Sequence, residues 1–152
     1  MCTEDDLKDF SVGMSVTRST GNGSGQIKVN CCNALLKQCL ELIDVQAGGV
    51  LSSEDIEDLD ISAINMIVCR DTLNISRESE VFNALLRWST REVKRQRLEL
   101  TPENRRNVLE GSQYLVRYLV MSQEEFTKGP YRSGLLTKEE EESILVILNK
   151  AV

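Results

Sequence analysis

One stretch, from Asp71 to Trp88, constrains the fold more than any other part of the chain, because it leads from a short loop into the most clearly amphipathic helical pattern in the sequence. Ser76 is the predicted N-cap of this helix, since its hydroxyl can accept a hydrogen bond from a free amide of the first turn. Glu78 and Glu80 follow, where the helix dipole favours negative charge. Apolar residues recur at helical spacing, and we predict that the core of this central helix contains Val81, Phe82, Leu85, Leu86 and Trp88. Other helices are expected to pack on that stripe.

Length and composition favour one soluble globular domain. The 152 residues are 41% hydrophobic and 28% charged, and the formal net charge of -6 argues against nucleic acid or an anionic membrane as a general partner. No apolar run approaches the roughly 20 residues of a membrane span. The N-terminus is acidic and has no apolar segment, so it does not resemble a secretory signal.

The cysteine and histidine counts restrict the chemistry. Five cysteines without a C-x-x-C pair are best explained as free thiols in a reducing compartment, which predicts a cytoplasmic protein. The sequence contains no histidine, which removes Ser-His-Asp and Cys-His catalysis and most zinc ligand sets. We therefore predict that the protein is not an enzyme and that it holds no metal or cofactor.

Residues 1–30 are predicted to be a flexible tail or linker, because the Gly/Ser-rich run from Thr17 to Gly25 has almost nothing to bury. The helical domain is predicted to span residues 31–152. Its first helix runs from Cys31 to about Val45, and Gly48-Gly49 is expected to stop it. Ser52 or Ser53 should cap a short acidic turn, Glu54 to Leu59.

Cap residues mark the remaining helix starts. Asp60 is the predicted N-cap of a helix from Ile61 to Arg70, and Thr101-Pro102 begins another helix after the central one. Ser122 and Thr137 each open a capping box. Further apolar turns are predicted at Tyr114, Leu115, Tyr118 and Leu119 and, in the last helix, at Ile144, Leu145, Ile147 and Leu148. Since strand signals are almost absent, the predicted fold is all-α, a stack of antiparallel helix pairs.

Several of these segments together resemble the BACK domain, the helical domain that follows the BTB domain in many cullin 3 substrate adaptors. The matching segments are Cys39–Asp44, Asp58–Asp60, Arg70–Leu73, Val81–Trp88, Thr101–Arg106, Val108–Leu109, Val116–Tyr118, Met121–Ser122, Glu124–Phe126 and Gly129–Leu136. The TPENRR and G-P-x-x-S-G-L-L runs are similar to the subgroup ordered BTB, BACK and PHR, and the resemblance covers about Leu35 to Val152. It departs from the family at Leu119, where a proline is usual.

The resemblance implies a non-catalytic interaction or spacer module of a BTB-type ubiquitin ligase adaptor, acting in protein ubiquitination, here without the BTB and PHR domains. Cullin 3 and a substrate protein would be its partners. In the family the first helix pair helps to build the cullin-binding groove, and Asn33 to Asp44 matches the second helix of that pair. Without the BTB domain the chain is expected to be a monomer. The alternative is an orphan helical regulator that binds a BTB-BACK adaptor or its substrate and competes with ligase assembly.

A run of cations near the end of the central helix is the candidate partner surface, and its members are Arg87, Arg91, Lys94, Arg95 and Arg97. A partner's acidic surface or a phosphate could dock there. The same residues are also explained as a solvated helix face whose cations lie near the helix C-terminus, and this is the interpretation we favour.

Three other features have structural explanations beside functional ones. Trp88 suits an interface hot spot, but its position beside the apolar stripe favours the core. Adjacent Cys31 and Cys32 are a weak signal for metal or redox chemistry without further paired thiols. The carboxylates from Glu139 to Glu142 could suggest acid/base chemistry, but capping and the helix dipole account for them.

Overall fold

The computed structural model describes the backbone of residues 25–151 and the side chains of residues 33–151. Within this range the chain is all-α, as predicted, and contains no strand. The α-helices are α1 (Gly25–Val45), α2 (Ala47–Ser52), α3 (Ile61–Val68), α4 (Ser79–Arg95), α5 (Pro102–Leu109), α6 (Gln123–Lys128) and α7 (Lys138–Lys150). Three 3₁₀ turns separate them, at Glu54–Asp58, Ser112–Leu115 and Tyr118–Val120.

The predicted caps begin most of these elements. The side chains of Ser53, Asp60, Thr101, Ser122 and Thr137 each accept a hydrogen bond from the backbone amide two or three residues on. Thr137 and Glu140 form the complete reciprocal capping box. At Ser122 the box is not reciprocal, because the carboxylate of Glu125 accepts the amide of Ser79 at the start of α4, 2.9 Å away. That bond joins α6 to the central helix.

The predicted cap at Ser76 is wrong. Glu78 occupies the N-cap position of α4 and makes no capping bond with its side chain. The amides of Ser76 and Arg77 donate instead to the carboxylate of Glu80, at 3.0 and 3.1 Å. The amide of Ser79, three residues after Ser76, donates to Glu125 of α6, so this first-turn donor does not need the serine hydroxyl.

The core is built around α4, which packs most extensively against α5, the Glu54–Asp58 turn and α2. Its buried residues are Val81, Phe82, Ala84, Leu85, Trp88, Ser89 and Val93. Trp88 is 2% exposed and donates its indole N–H to the carbonyl of Leu59 at 2.8 Å. Leu86 is only partly buried, because it lies at the edge of the buried stripe, on the side away from Trp88.

The first helix ends at Val45, as predicted, but its start differs from the prediction. It begins at Gly25, before Cys31, and the part of the predicted tail up to Ser24 lies outside the described residues. The predicted stop at Gly48-Gly49 is wrong, because both glycines lie inside α2. The chain turns earlier, at Gln46, which lets Ala47 and Leu51 enter the core.

The predicted apolar turn after α5 is only partly formed. Tyr118 is buried, but Tyr114 and Leu119 are exposed, because 3₁₀ turns replace the expected helix and change which residues face inward. In α7, Leu148 is buried and Ile144 and Leu145 pack on the core, whereas Ile147 is half exposed. Tyr114, Leu119, Val120 and Ile147 therefore leave apolar surface near the C-terminal helix.

The connection between α6 and α7 packs closely on the start of α5. Gly134 has a φ of +87°, and a Cβ there would lie 2.9 Å from the Cβ of Pro102. Glycine is therefore required at this position for both conformation and space. The two arginines that follow Pro102 in α5 strengthen the contact, because Arg105 donates to the carbonyl of Ser133 and Arg106 to that of Gly134.

The cysteine prediction is confirmed at Cys39, whose thiol is free and exposed. It is wrong at Cys69, which is disulfide-bonded. Spacing along the chain does not show which cysteines a fold brings together, since only the geometry of the two Cα–Cβ bonds decides this.

Candidate interaction surfaces

The cations predicted as a partner surface do not form one uniform patch. Arg87, Arg91 and Arg95 face the acidic 3₁₀ turn, Glu54–Asp58, which contributes two carboxylates to them. The closest ion pair with this turn joins Arg91 to Asp58 at 2.8 Å. The Nε of Arg87 lies 3.1 Å from a carboxylate oxygen of Glu57. Arg95 also pairs with Glu92 and donates to the carbonyl of Glu57. These ion pairs hold the acidic turn against α4.

Lys94 and Arg97 are different. Both are exposed, and neither has a carboxylate within ion-pair distance among residues 33–151. Arg97 has a φ of +57° and lies in the turn that follows α4, outside the helix that carries the other four. The structure therefore separates the predicted run into three paired arginines and two unpaired cations.

One residue of this region was missed by the sequence analysis. Arg105, on α5, shares a groove with Arg87, Arg91 and Lys94. This groove, which we call the basic groove, has a volume of about 660 Å³ and is also lined by Glu57, Leu86 and Thr90. No sequence signal links Arg105 to the run, because the two helices are brought together only by their packing.

A second cluster fixes α1 to the rest of the domain. The carboxylate of Asp44 accepts two hydrogen bonds from the guanidinium of Arg70, both at 2.6 Å, and a third from the hydroxyl of Thr72 at 2.7 Å. The carbonyl of Asp44 accepts the amide of Asn74. The hydrogen bond from Arg70 lowers the pKa of Asp44, and the same bond raises the pKa of Arg70. A bidentate pair of this kind sets the orientation of the helix as well as its stability.

The opposite side of α1 is open. Leu35, Leu42 and Val45 are 62%, 58% and 68% exposed, and their spacing places them on one face of the helix. We call this face the outer stripe. Leu40, Ile43 and Asp44 lie on the inner face, toward α2 and the loop after α3. An α-helix with a second apolar stripe in solvent is typical of a helix that contacts a further domain or partner.

A third feature is a buried acidic residue at the start of α4. Glu78 accepts the amide of Arg117 at 3.0 Å, and the Arg117 guanidinium lies 3.4 Å from the same carboxylate. Glu141 is likewise buried and accepts the amide of Arg132 at 2.8 Å, where the backbone has a positive φ of 62°. These carboxylates satisfy backbone donors, which is a structural role and not an acid/base one.

Two further properties concern the described residues alone. Residues 33–151 contain no group of three or more acidic or thiol side chains placed to hold a metal ion. None of the helices described is both long enough and apolar enough to cross a membrane.

The family model described as "BACK: BTB And C-terminal Kelch" matches residues 27–111, more than half of the chain. The chain belongs to the BACK family. The match begins within α1 and ends just after α5, so it includes the outer stripe, the Asp44 cluster and the basic groove. The resemblance expected from the sequence is thereby confirmed.

Relatives of this BACK chain carry BTB/POZ in their names. It is 46% identical to BTB/POZ domain-containing protein 6 of Xenopus tropicalis and 44% identical to its human counterpart, in each case over 112 residues, or 74% of this chain. Identity to human BTB/POZ domain-containing protein 3 is 40% over the same length. The chain spans about a fifth of the length of these relatives, 21% in each case. No solved structure gives a significant match.

Proposed function

We propose that this BACK domain is a non-catalytic interaction and spacer module of a BTB-type substrate adaptor for a cullin 3 ubiquitin ligase, acting in the cytoplasm. The observation that carries the proposal is the outer stripe of α1, within the region that matches the family model. Leucine and valine side chains that are more than half exposed on one helix face are unfavourable in water, and covering them with a neighbouring domain lowers the free energy.

The geometry of α1 suits a spacer. Its C-terminal end is fixed by the Asp44–Arg70 pair, so whatever packs on the outer stripe is held at a set orientation to α4 and α5. A spacer needs rigidity and no chemical step. The family match and the relatives' names support a BTB domain as the neighbour, and cullin 3 as the further partner is proposed by resemblance.

The experiment mixes the complete chain with the BTB domain of human BTB/POZ domain-containing protein 6 and the N-terminal domain of cullin 3, followed by size-exclusion chromatography with light scattering. We expect a monomer for the chain alone and a complex of all three proteins in the mixture. Leu42→Asp should weaken that complex on the order of tenfold or more, because it removes an apolar anchor from the covered face.

Leu119→Asp is the matched control, since it makes the same change at a similarly exposed residue outside α1. It should leave the complex intact. If the chain stays monomeric in every mixture, the adaptor proposal is wrong. If the chain binds the complete relative and displaces cullin 3 from it, the regulator that competes with ligase assembly is the correct function.

A further inference from the structure

The basic groove lies between α4 and α5 and has one apolar wall. Five of its residues, Leu86, Arg87, Thr90, Arg91 and Lys94, follow one another at helical spacing along α4. Arg105 faces them from α5, and Glu57 closes the groove at the acidic turn. At about 660 Å³ the groove is large enough for several side chains of a bound peptide.

Its charge is not balanced from within. Four cations line it, whereas the carboxylates near them are Glu57, which lines the groove, and Asp58, which pairs with Arg91 from outside it. Neither Lys94 nor Arg105 forms an ion pair with any of residues 33–151. A protein with a net charge of -6 thus brings four of its cations together in one groove.

Two donors in the groove also lack acceptors. The Nε atoms of Arg87 and Arg105 are buried, and neither has a hydrogen-bond partner in the described part of the chain. The Arg87 atom lies close to Glu57, but not with the geometry of a hydrogen bond. Buried donors without acceptors cost free energy, and both guanidiniums carry their positive charge into the lining of the groove.

We propose that the basic groove binds an acidic peptide segment of a partner protein, with Asp or Glu side chains at Lys94 and Arg105 and an apolar side chain on Leu86. Leu86 and Thr90 give the groove a less polar wall, which suits a peptide side chain better than a simple anion. The lining contains no aromatic residue on which a nucleic acid base could stack, and the net charge of the chain repels a long polyanion.

The test is a titration of the complete ¹⁵N-labelled chain with the synthetic peptide acetyl-Asp-Glu-Asp-Leu-Glu-Asp-amide at low salt, followed by NMR. The amide signals of Leu86, Thr90, Lys94 and Arg105 should shift together. Lys94→Glu should weaken binding about three- to tenfold, because an attractive pair becomes a repulsive one. Lys94 is exposed and unpaired among the described residues, so this change should not disturb folding. About 0.5 M salt should weaken binding as well.

Two controls make the result specific. Arg97→Glu changes the same charge in the same basic run outside the groove and should alter binding less than twofold. The peptide with Asn and Gln in place of Asp and Glu should not bind. The proposal is overturned if no groove signal shifts, if Arg97→Glu weakens binding as much as Lys94→Glu, or if inorganic phosphate shifts the same signals at the same concentration. This groove and the outer stripe of α1 lie on different helices, so either proposal can fail without the other.

Discussion

Helices α1 and α4 both carry apolar residues at helical spacing, but the fold uses them differently. In α4 the stripe is enclosed by α5, α2 and the acidic turn, and Leu85 is fully buried. In α1 one apolar face packs on the domain, while Leu35 and Leu42 on the other face remain in solvent. The comparison shows that a helical apolar pattern predicts burial only for a helix with neighbours on that side. Where neighbours are missing, the same pattern leaves apolar side chains in solvent.

The two ends of α4 also differ in the role of their charged side chains. At the start of α4, buried carboxylates satisfy backbone amides, as Glu78 does for Arg117 and Glu125 for Ser79. Near the end of α4, charge is concentrated in ion pairs and in the basic groove. The first arrangement satisfies buried backbone donors, whereas the second holds the acidic turn and leaves Lys94 without a carboxylate partner among residues 33–151.

The largest expected effect tests the comparison of the two helices directly. Leu85→Ala should lower the free energy of unfolding by about 2–5 kcal/mol, because a fully buried leucine leaves a cavity. The same change at Leu42, which is 58% exposed, should cost no more than about 0.5 kcal/mol. Urea titrations of both variants measure the difference, and similar losses would show that α1 is as enclosed as α4.

An intermediate effect is expected at the Asp44 cluster, which joins α1 to the domain. Asp44→Asn should cost about 1–3 kcal/mol, because it weakens the pair with Arg70 at a site that is mostly shielded from solvent. Hydrogen exchange should then rise in α1 before it rises in α4. Asp71→Asn is the control, because Asp71 is exposed and its contact with Arg117 is long, at 3.4 Å. It should cost no more than about 0.5 kcal/mol.

The same carboxylate predicts a dependence on pH. Since the Arg70 hydrogen bond lowers the pKa of Asp44 below its ordinary value of 3.8, its contribution is fully present above that pH. The contribution is lost as the pH falls through the lower pKa of the folded state. The difference in urea midpoint between the wild type and Asp44→Asn should therefore be constant from about pH 7 to pH 5 and shrink below about pH 4. A difference that grows on acidification would contradict the assignment.

The smallest expected effect concerns the start of α7, whose capping box was predicted from the sequence. Thr137→Ala should cost about 1 kcal/mol in urea unfolding, because it removes one half of the capping box of α7. Ser143→Ala, in the same helix, should change stability very little, since the Ser143 hydroxyl only bonds back to the carbonyl of Glu139. Equal losses in the two variants would mean that the box does not stabilise α7.

The sequence predicted what local chemistry decides. Asp60, Thr101 and Thr137 start helices because a short polar side chain can satisfy free amides wherever the chain goes next. The all-α class followed from helical periodicity, and the family followed from motifs spread over most of the chain. Where a distant group competes for the same donors, local rules fail. The amide of Ser79, which the predicted Ser76 cap would have satisfied, donates instead to Glu125 of α6.

Only the tertiary structure decided which of the predicted surface residues contact other parts of the chain. The basic run seemed continuous in sequence, but packing paired Arg87, Arg91 and Arg95 with the acidic turn and placed Arg105 opposite Lys94. It also left the outer stripe of α1 and the apolar residue Leu119 in solvent. The physical reason is that periodicity reports which residues share a helix face, whereas burial and ion pairing depend on which helix that face meets.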